Sequence, residues 1–213
     1  MDFGLFSQQL SKIKDLPLPG EASHLKMIPE FRLSMNLEEK AVAKNPKKAG
    51  VMALFYPDER KTSHLLLILR KTYIGVHSNQ VGFPGGKMEG SDISIEQTAL
   101  RETHEEVGVP PEAIKIIKSL TQVYIPPSNF EVQPFVGLLT EPFSFVPEVA
   151  EVEALIEVPL QDFMNDAMVS TQRLSTSYAL KVDVPVFKLK GYTVWGATAM
   201  MLSEIKVLLR QVL

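Results

Sequence analysis

Two periods organise the apolar positions of this chain. Phe3, Phe6, Leu10 and Ile13 recur at intervals of three and four, which predicts one short amphipathic helix covering the edge of the core. Leu16-Pro17-Leu18-Pro19-Gly20 then breaks it, and the polar stretch that follows has no strong period as far as Gly50, with Lys47 and Lys48 reading as an exposed turn. Val51 to Tyr56 and Ser63 to Leu69 are apolar runs of strand length separated by Pro57-Asp58-Glu59-Arg60-Lys61, the pattern of a hairpin with a charged loop. Because LLLIL is apolar on both faces, its strand is expected at the centre of a covered sheet.

A helical period returns from Ile93 to Val107, with Ala99, Leu100 and Thr103 available for packing and Gly108 as the stop residue. Pro110-Pro111-Glu112 predicts a second short helix through Ile117, followed by strands over Leu120 to Tyr124 and Val132 to Thr140. Between those strands the prolines of Ile125-Pro126-Pro127-Ser128-Asn129-Phe130 would hold Ser128 and Asn129 outward. Downstream, Val184 to Leu189 and Tyr192 to Trp195 predict a hairpin, and Ala197 to Leu213 a closing amphipathic helix. No repeat or low-complexity segment interrupts the order.

Composition narrows the class. With 213 residues, 45% of them hydrophobic and 22% charged, the chain can bury one sizeable core. A net charge of -3 gives no basic footprint for polymeric nucleic acid. There is no cysteine, which excludes disulfides, zinc–thiolate sites and a thiol nucleophile. No apolar run is long enough to cross a bilayer, and the start MDFGLFSQQLSKIKD lacks the basic-then-apolar order of a signal peptide, so a cytoplasmic location is expected.

The candidate chemistry lies in one stretch, Gly82 to Val109, GFPGGKMEGSDISIEQTALRETHEEVGV. A glycine-rich loop feeds a helix on which Glu102, Glu105 and Glu106 fall within one turn. Three carboxylates on one face repel unless a cation sits between them, and an all-oxygen, thiol-free set suits Mg²⁺ or Mn²⁺. Arg70 and Lys87 flank the Gly-Gly loop and are candidates for phosphate contacts, with His77 a further donor. Arg101 is expected to orient a carboxylate, and Asp92, ahead of the helix, to cap it and complement its dipole.

With Gly86, Arg101, Glu102, Glu105, Glu106, Gly108 and Val109 in place, the stretch resembles the Nudix box: a glycine, five residues, a glutamate, seven residues, then Arg-Glu-aliphatic-any-Glu-Glu-any-Gly-aliphatic. It departs from that pattern at Thr103, which replaces an aliphatic residue, and at Asp92, which replaces the glutamate and is followed by eight residues rather than seven. The same lengthened spacing is found in the coenzyme A pyrophosphatase subfamily. Its second motif resembles LLILRKTYIGVHSNQVGFPGG, matching at Leu66, Leu67, Arg70, His77, Gln80, Val81, Phe83, Pro84, Gly85 and Gly86, with Gly75 and Asn79 where arginine and glycine are usual. Val158-Pro159-Leu160 and Trp195-Gly196-Ala197-Thr198 also resemble the family, the latter with a packing role.

The resemblance implies an α+β fold, an α/β/α sandwich with a mixed sheet between helices. The expected division is an N-terminal helix and irregular extension over 1–45 and a Nudix domain over 46–213. It implies a metal-dependent hydrolase that converts coenzyme A or a derivative to 4′-phosphopantetheine and adenosine 3′,5′-bisphosphate. The alternatives are a hydrolase of ADP-ribose, NADH or an oxidised nucleoside triphosphate, and a nucleotide-sensing regulator. The implied metal ligands are Glu102, Glu106 and the Gly86 carbonyl. Glu105 is either a third ligand or the proton acceptor, with the Glu148 to Glu153 loop in reserve, and Ser128 or Asn129 would contact substrate. The implied partner is a small nucleotide derivative; oligomeric state stays open, a homodimer among the options.

Overall fold

The computed structural model describes residues 1–33, 45–71, 79–175 and 181–213. Eleven strands and six α-helices are distributed over them. The first helix, α1 (Phe3–Ser11), continues into a 3-10 turn, Lys12–Asp15, so that Phe3, Phe6, Leu10 and Ile13 are all buried. Two further single-turn helices, α2 (Glu21–His24) and α3 (Glu30–Leu33), lie in the segment that lacked a sequence period.

The large sheet grows around β1 (Lys47–Pro57) and β2 (Ser63–Arg70), which pair antiparallel across the expected hairpin, Phe55 opposite Leu65. To β1 are added β4 (Gly85–Lys87), antiparallel, and β7 (Phe130–Leu138), parallel. The outer positions on β2 are taken by β3 (Val81–Gly82) and β8 (Val152–Pro159), and those on β7 by β5 (Lys115–Ser119) and β6 (Val123–Ile125), all antiparallel. The sheet is therefore mixed, with LLLIL inside it. A second sheet of β9 (Val169–Leu174), β10 (Val182–Leu189) and β11 (Tyr192–Val194) contains the predicted hairpin.

Side chains alternate across the sheet, and each face has its own core. Ala49, Ala53, Phe55, Leu65 and Leu67 face α1 and the long C-terminal helix α6 (Gly196–Leu209). Met52, Leu54, Tyr56, Leu66 and Ile68 face α4 (Ile95–Val107). Helices on both faces of a mixed sheet make the α/β/α sandwich. The fit of α4 is close enough that a Cβ on Gly50 would stand 2.4 Å from the Ile95 carbonyl oxygen, so only glycine permits β1 to carry that helix.

Lys47 and Lys48 begin β1 rather than forming a turn, and other elements also differ from expectation. The second short helix is only a 3-10 turn, Pro111–Ala113; Lys115–Ser119 is a strand, because Ile116 and Ile117 find partners on β7 that lie far along the chain. The α4 helix starts at Ile95, capped by Ser94, whose Oγ accepts from the Gln97 N–H at 3.1 Å. β8, β9 and α5 (Leu160–Met164) had no distinct sequence signal. No helix among the described residues is long and apolar enough to cross a membrane.

Candidate active site

The helix α4 presents its acidic residues in three different settings. Glu106 points inward, with no exposed surface, and its Oε2 accepts from the Gly85 N–H at 2.7 Å. Glu105 points outward, its side chain 55% exposed. Glu102 lies between them, its side chain 14% exposed and facing the loop that precedes the helix. The expected trio is thus a pair, Glu102 and Glu106, with Glu105 to one side. Among the described residues no three acidic or imidazole side chains converge on a single point.

The loop is shaped around that pair. A Cβ on Gly86 would come within 2.2 Å of Glu102 Oε2, so the glycine holds open the space that the carboxylate occupies. Arg70, at the end of β2, places Nη1 3.1 Å from Glu106 Oε1 but donates its hydrogen bond to the Gly85 carbonyl at 3.2 Å. Attraction without alignment leaves Oε1 buried and without a hydrogen-bond donor. Burial pushes the Glu106 carboxyl up to about 7, against the pull of Arg70 and the Gly85 N–H. Burial also raises Glu102, with Arg101 opposing it. An orphaned buried carboxylate oxygen beside a second carboxylate, with both acids disfavoured as anions, is an arrangement a hard cation would relieve.

Arg101 lies among the acids and links them. Its Nη1 is 2.9 Å from Glu102 Oε1 and 2.8 Å from Glu105 Oε2, and its Nη2 donates to the Lys87 carbonyl at 3.2 Å. Asp92 holds this guanidinium from behind, taking Nε and Nη2 at 3.0 Å each. The same carboxylate accepts from Thr98 Oγ1 at 3.0 Å and the Glu89 N–H at 2.9 Å, and only 7% of the residue is exposed. These bonds, led by that from Arg101, hold Asp92 far below the usual carboxylate range. Asp92 is therefore the anchor of Arg101 rather than a helix cap, a role that Ser94 takes. Its position, nine residues before Arg101, crosses from loop to helix, so no helical spacing could have disclosed the contact.

At the other end of α4, the loop 141–151 lies across its last carbonyls, with Val146 N–H donating to Val107 at 3.1 Å and Glu148 N–H to Glu106 at 3.0 Å. Glu151 of this loop is close enough to raise both Glu102 and Glu106.

Next to Gly85, Gly86 and Lys87 a cavity of about 380 Å³ opens, with walls mainly of apolar side chains such as Val51, Phe83, Phe130 and Trp195. Arg70 and Lys87, the candidates for phosphate contacts, line it. From the 125–130 loop the wall is formed by Ile125, Pro127 and Phe130. Ser128 Oγ donates instead to the Ile125 carbonyl at 3.4 Å, and Asn129 Oδ1 accepts from Tyr124 Oη at 3.0 Å. His77 lies outside the described residues. Two contributions were not anticipated: Arg32 of α3, from the segment without a period, and Trp195 to Thr198, whose expected role was packing.

A family model described as NUDIX domain matches residues 46–175. A Nudix hydrolase NudL of Pectobacterium atrosepticum, itself uncharacterized, is 36% identical over 155 residues, covering 68% of this chain and 74% of that protein. Another NudL, from Enterobacter sp. (strain 638), is 34% identical over 153 residues, 68% of this chain and 75% of its own length. The peroxisomal coenzyme A diphosphatase ndx-8 of Caenorhabditis elegans is 32% identical over 161 residues, 75% of this chain and 67% of its own. With the box residues gathered on one helix beside a glycine-shaped loop, the chain belongs to the Nudix family and is a Nudix pyrophosphohydrolase.

Proposed function

We propose that the protein hydrolyses the diphosphate bond of coenzyme A or a derivative, giving 4′-phosphopantetheine, or its acyl form, and adenosine 3′,5′-bisphosphate, with Mg²⁺ or Mn²⁺. The observation that carries this reading is the position of the Glu102 and Glu106 pair, one glycine away from a mainly apolar cavity that Arg70 and Lys87 help to line. The cavity suits a substrate with a long, weakly polar arm attached to a diphosphate, and the 32% identical coenzyme A diphosphatase supports that choice.

Glu102, Glu106 and the Gly86 carbonyl would hold the cation. When bound, it supplies neutralisation of the diphosphate charge and activation of water for in-line attack. Arg70 and Lys87 would bind the phosphate oxygens and fix the anhydride. Water adds to one phosphorus, the bridging oxygen leaves with the other phosphate, and the proton passes to a carboxylate. Glu105 is exposed to solvent and steadied by Arg101, which fits it for accepting that proton better than for a third ligand.

Glu102→Gln and Glu106→Gln should each lower kcat by about 10²-fold or more with thermal stability retained. Near-normal turnover in both variants would remove the assignment.

A further inference from the structure

The cavity is built only in part by the matched domain. Pro29 and Arg32 come from before residue 46, and Val184, Trp195 to Thr198 and Met201 from after residue 175. These two flanks are fastened to each other. His24 Nε2 and Glu204 Oε2 lie 3.0 Å apart, both residues buried, and Glu204 Oε1 accepts from Thr121 Oγ1 at 2.6 Å and the Gly20 N–H at 3.3 Å. Ser203 Oγ donates to the Ser23 carbonyl at 2.8 Å. Met27 enters the main core and Arg32 N–H closes a turn on the Pro29 carbonyl at 2.9 Å, so the backbone that carries Arg32 is seated.

Among the described residues, the three cationic side chains lining the cavity differ in position. Arg70 is engaged by Gly85 and Glu106, and Lys87 stands on β4 next to Gly86, so both serve the box end. Arg32 belongs to the flank wall. We infer that the joined flanks form the specificity wall of the site and that Arg32 binds a phosphate on the substrate other than the diphosphate under attack. Resting on the proposed reaction, that group is the 3′-phosphate of the adenosine. A guanidinium forms a paired, charge-assisted contact with a phosphomonoester, a group that adenosine 3′,5′-bisphosphate offers and adenosine 5′-monophosphate lacks at the 3′ position.

Binding of these two nucleotides to the full chain, measured by calorimetry for wild type, Arg32→Ala and Arg32→Lys, tests the assignment apart from turnover. Wild type should prefer the bisphosphate by about tenfold or more. Arg32→Ala should abolish most of that preference while leaving 5′-monophosphate affinity unchanged, with Arg32→Lys between. Equal weakening toward both nucleotides would make Arg32 structural, and an unchanged preference in Arg32→Ala, or none in wild type, would overturn the inference. If wild type cleaves no coenzyme A species yet the Arg32-dependent preference holds, the proposed reaction fails and the binding role stands.

Discussion

Asp92 shows how a residue can be conspicuous in sequence and still be misread. It precedes a helix and is acidic, which is the usual signature of a cap; yet the cap is Ser94, and both Asp92 oxygens hold Arg101, which in turn touches Glu102 and Glu105. Asp92→Asn keeps the shape but loses the charge-assisted fork, so kcat/KM should fall about tenfold, with Arg101 no longer held toward Glu102. Activity equal to wild type in steady-state kinetics would show that Arg101 needs no anchor. Glu106 makes a separate expectation. Its carboxyl is raised to about 7, so below that value a proton competes with a cation, and above it the anion is available. Affinity for Mn²⁺ should therefore rise as pH increases through about 7, and the rise should disappear in Glu106→Gln, as calorimetry about one unit either side would show. Stability of the metal-free protein should change in the opposite sense, falling as pH rises from the ordinary carboxylate value toward 7, because the folded state binds the extra proton.

Elements with a strong period were legible and those held by distant partners were not. The β1–β2 hairpin, α1, the box helix and the β10–β11 hairpin follow from spacing alone. Strand β9 is mostly exposed and polar, and exists through its pairing with β10; strand β5 follows a Pro-Pro turn that mimics a helix start. The contact between α2 and α6 was equally hidden, since His24 and Glu204 are separated by almost the whole chain. Burial alone would raise Glu204, but the hydrogen bonds from His24 and Thr121 outweigh it and hold the acid below its ordinary value. A depressed acid stabilises the fold above its ordinary value, and that stabilisation is lost as pH falls through the lowered one. Glu204→Gln should thus cost about 1–3 kcal/mol near neutral pH and flatten the acid limb of the Tm profile. A Tm profile parallel to wild type at every pH would mean that the buried pair contributes nothing to joining the flanks.

At the scale of the whole molecule, the box was readable because it is contiguous, whereas the cavity draws on residues from Pro29 to Met201 and could not be assembled from any one stretch. The matched domain supplies the sheet, the glycine loop and the acidic helix; the flanks supply the far wall. In the proposed function the box performs the hydrolysis, and the cavity selects which diphosphate reaches it. Substrate preference is therefore the property on which the reading depends most. Steady-state kcat/KM of the purified chain with Mg²⁺ or Mn²⁺, measured for coenzyme A, an acyl thioester, ADP-ribose and a nucleoside triphosphate with product identification, tests it directly. The expected result is release of adenosine 3′,5′-bisphosphate, with a coenzyme A species favoured over ADP-ribose by about tenfold or more, the effect of one charge-assisted contact. Faster hydrolysis of ADP-ribose or the triphosphate than of every coenzyme A species would contradict it.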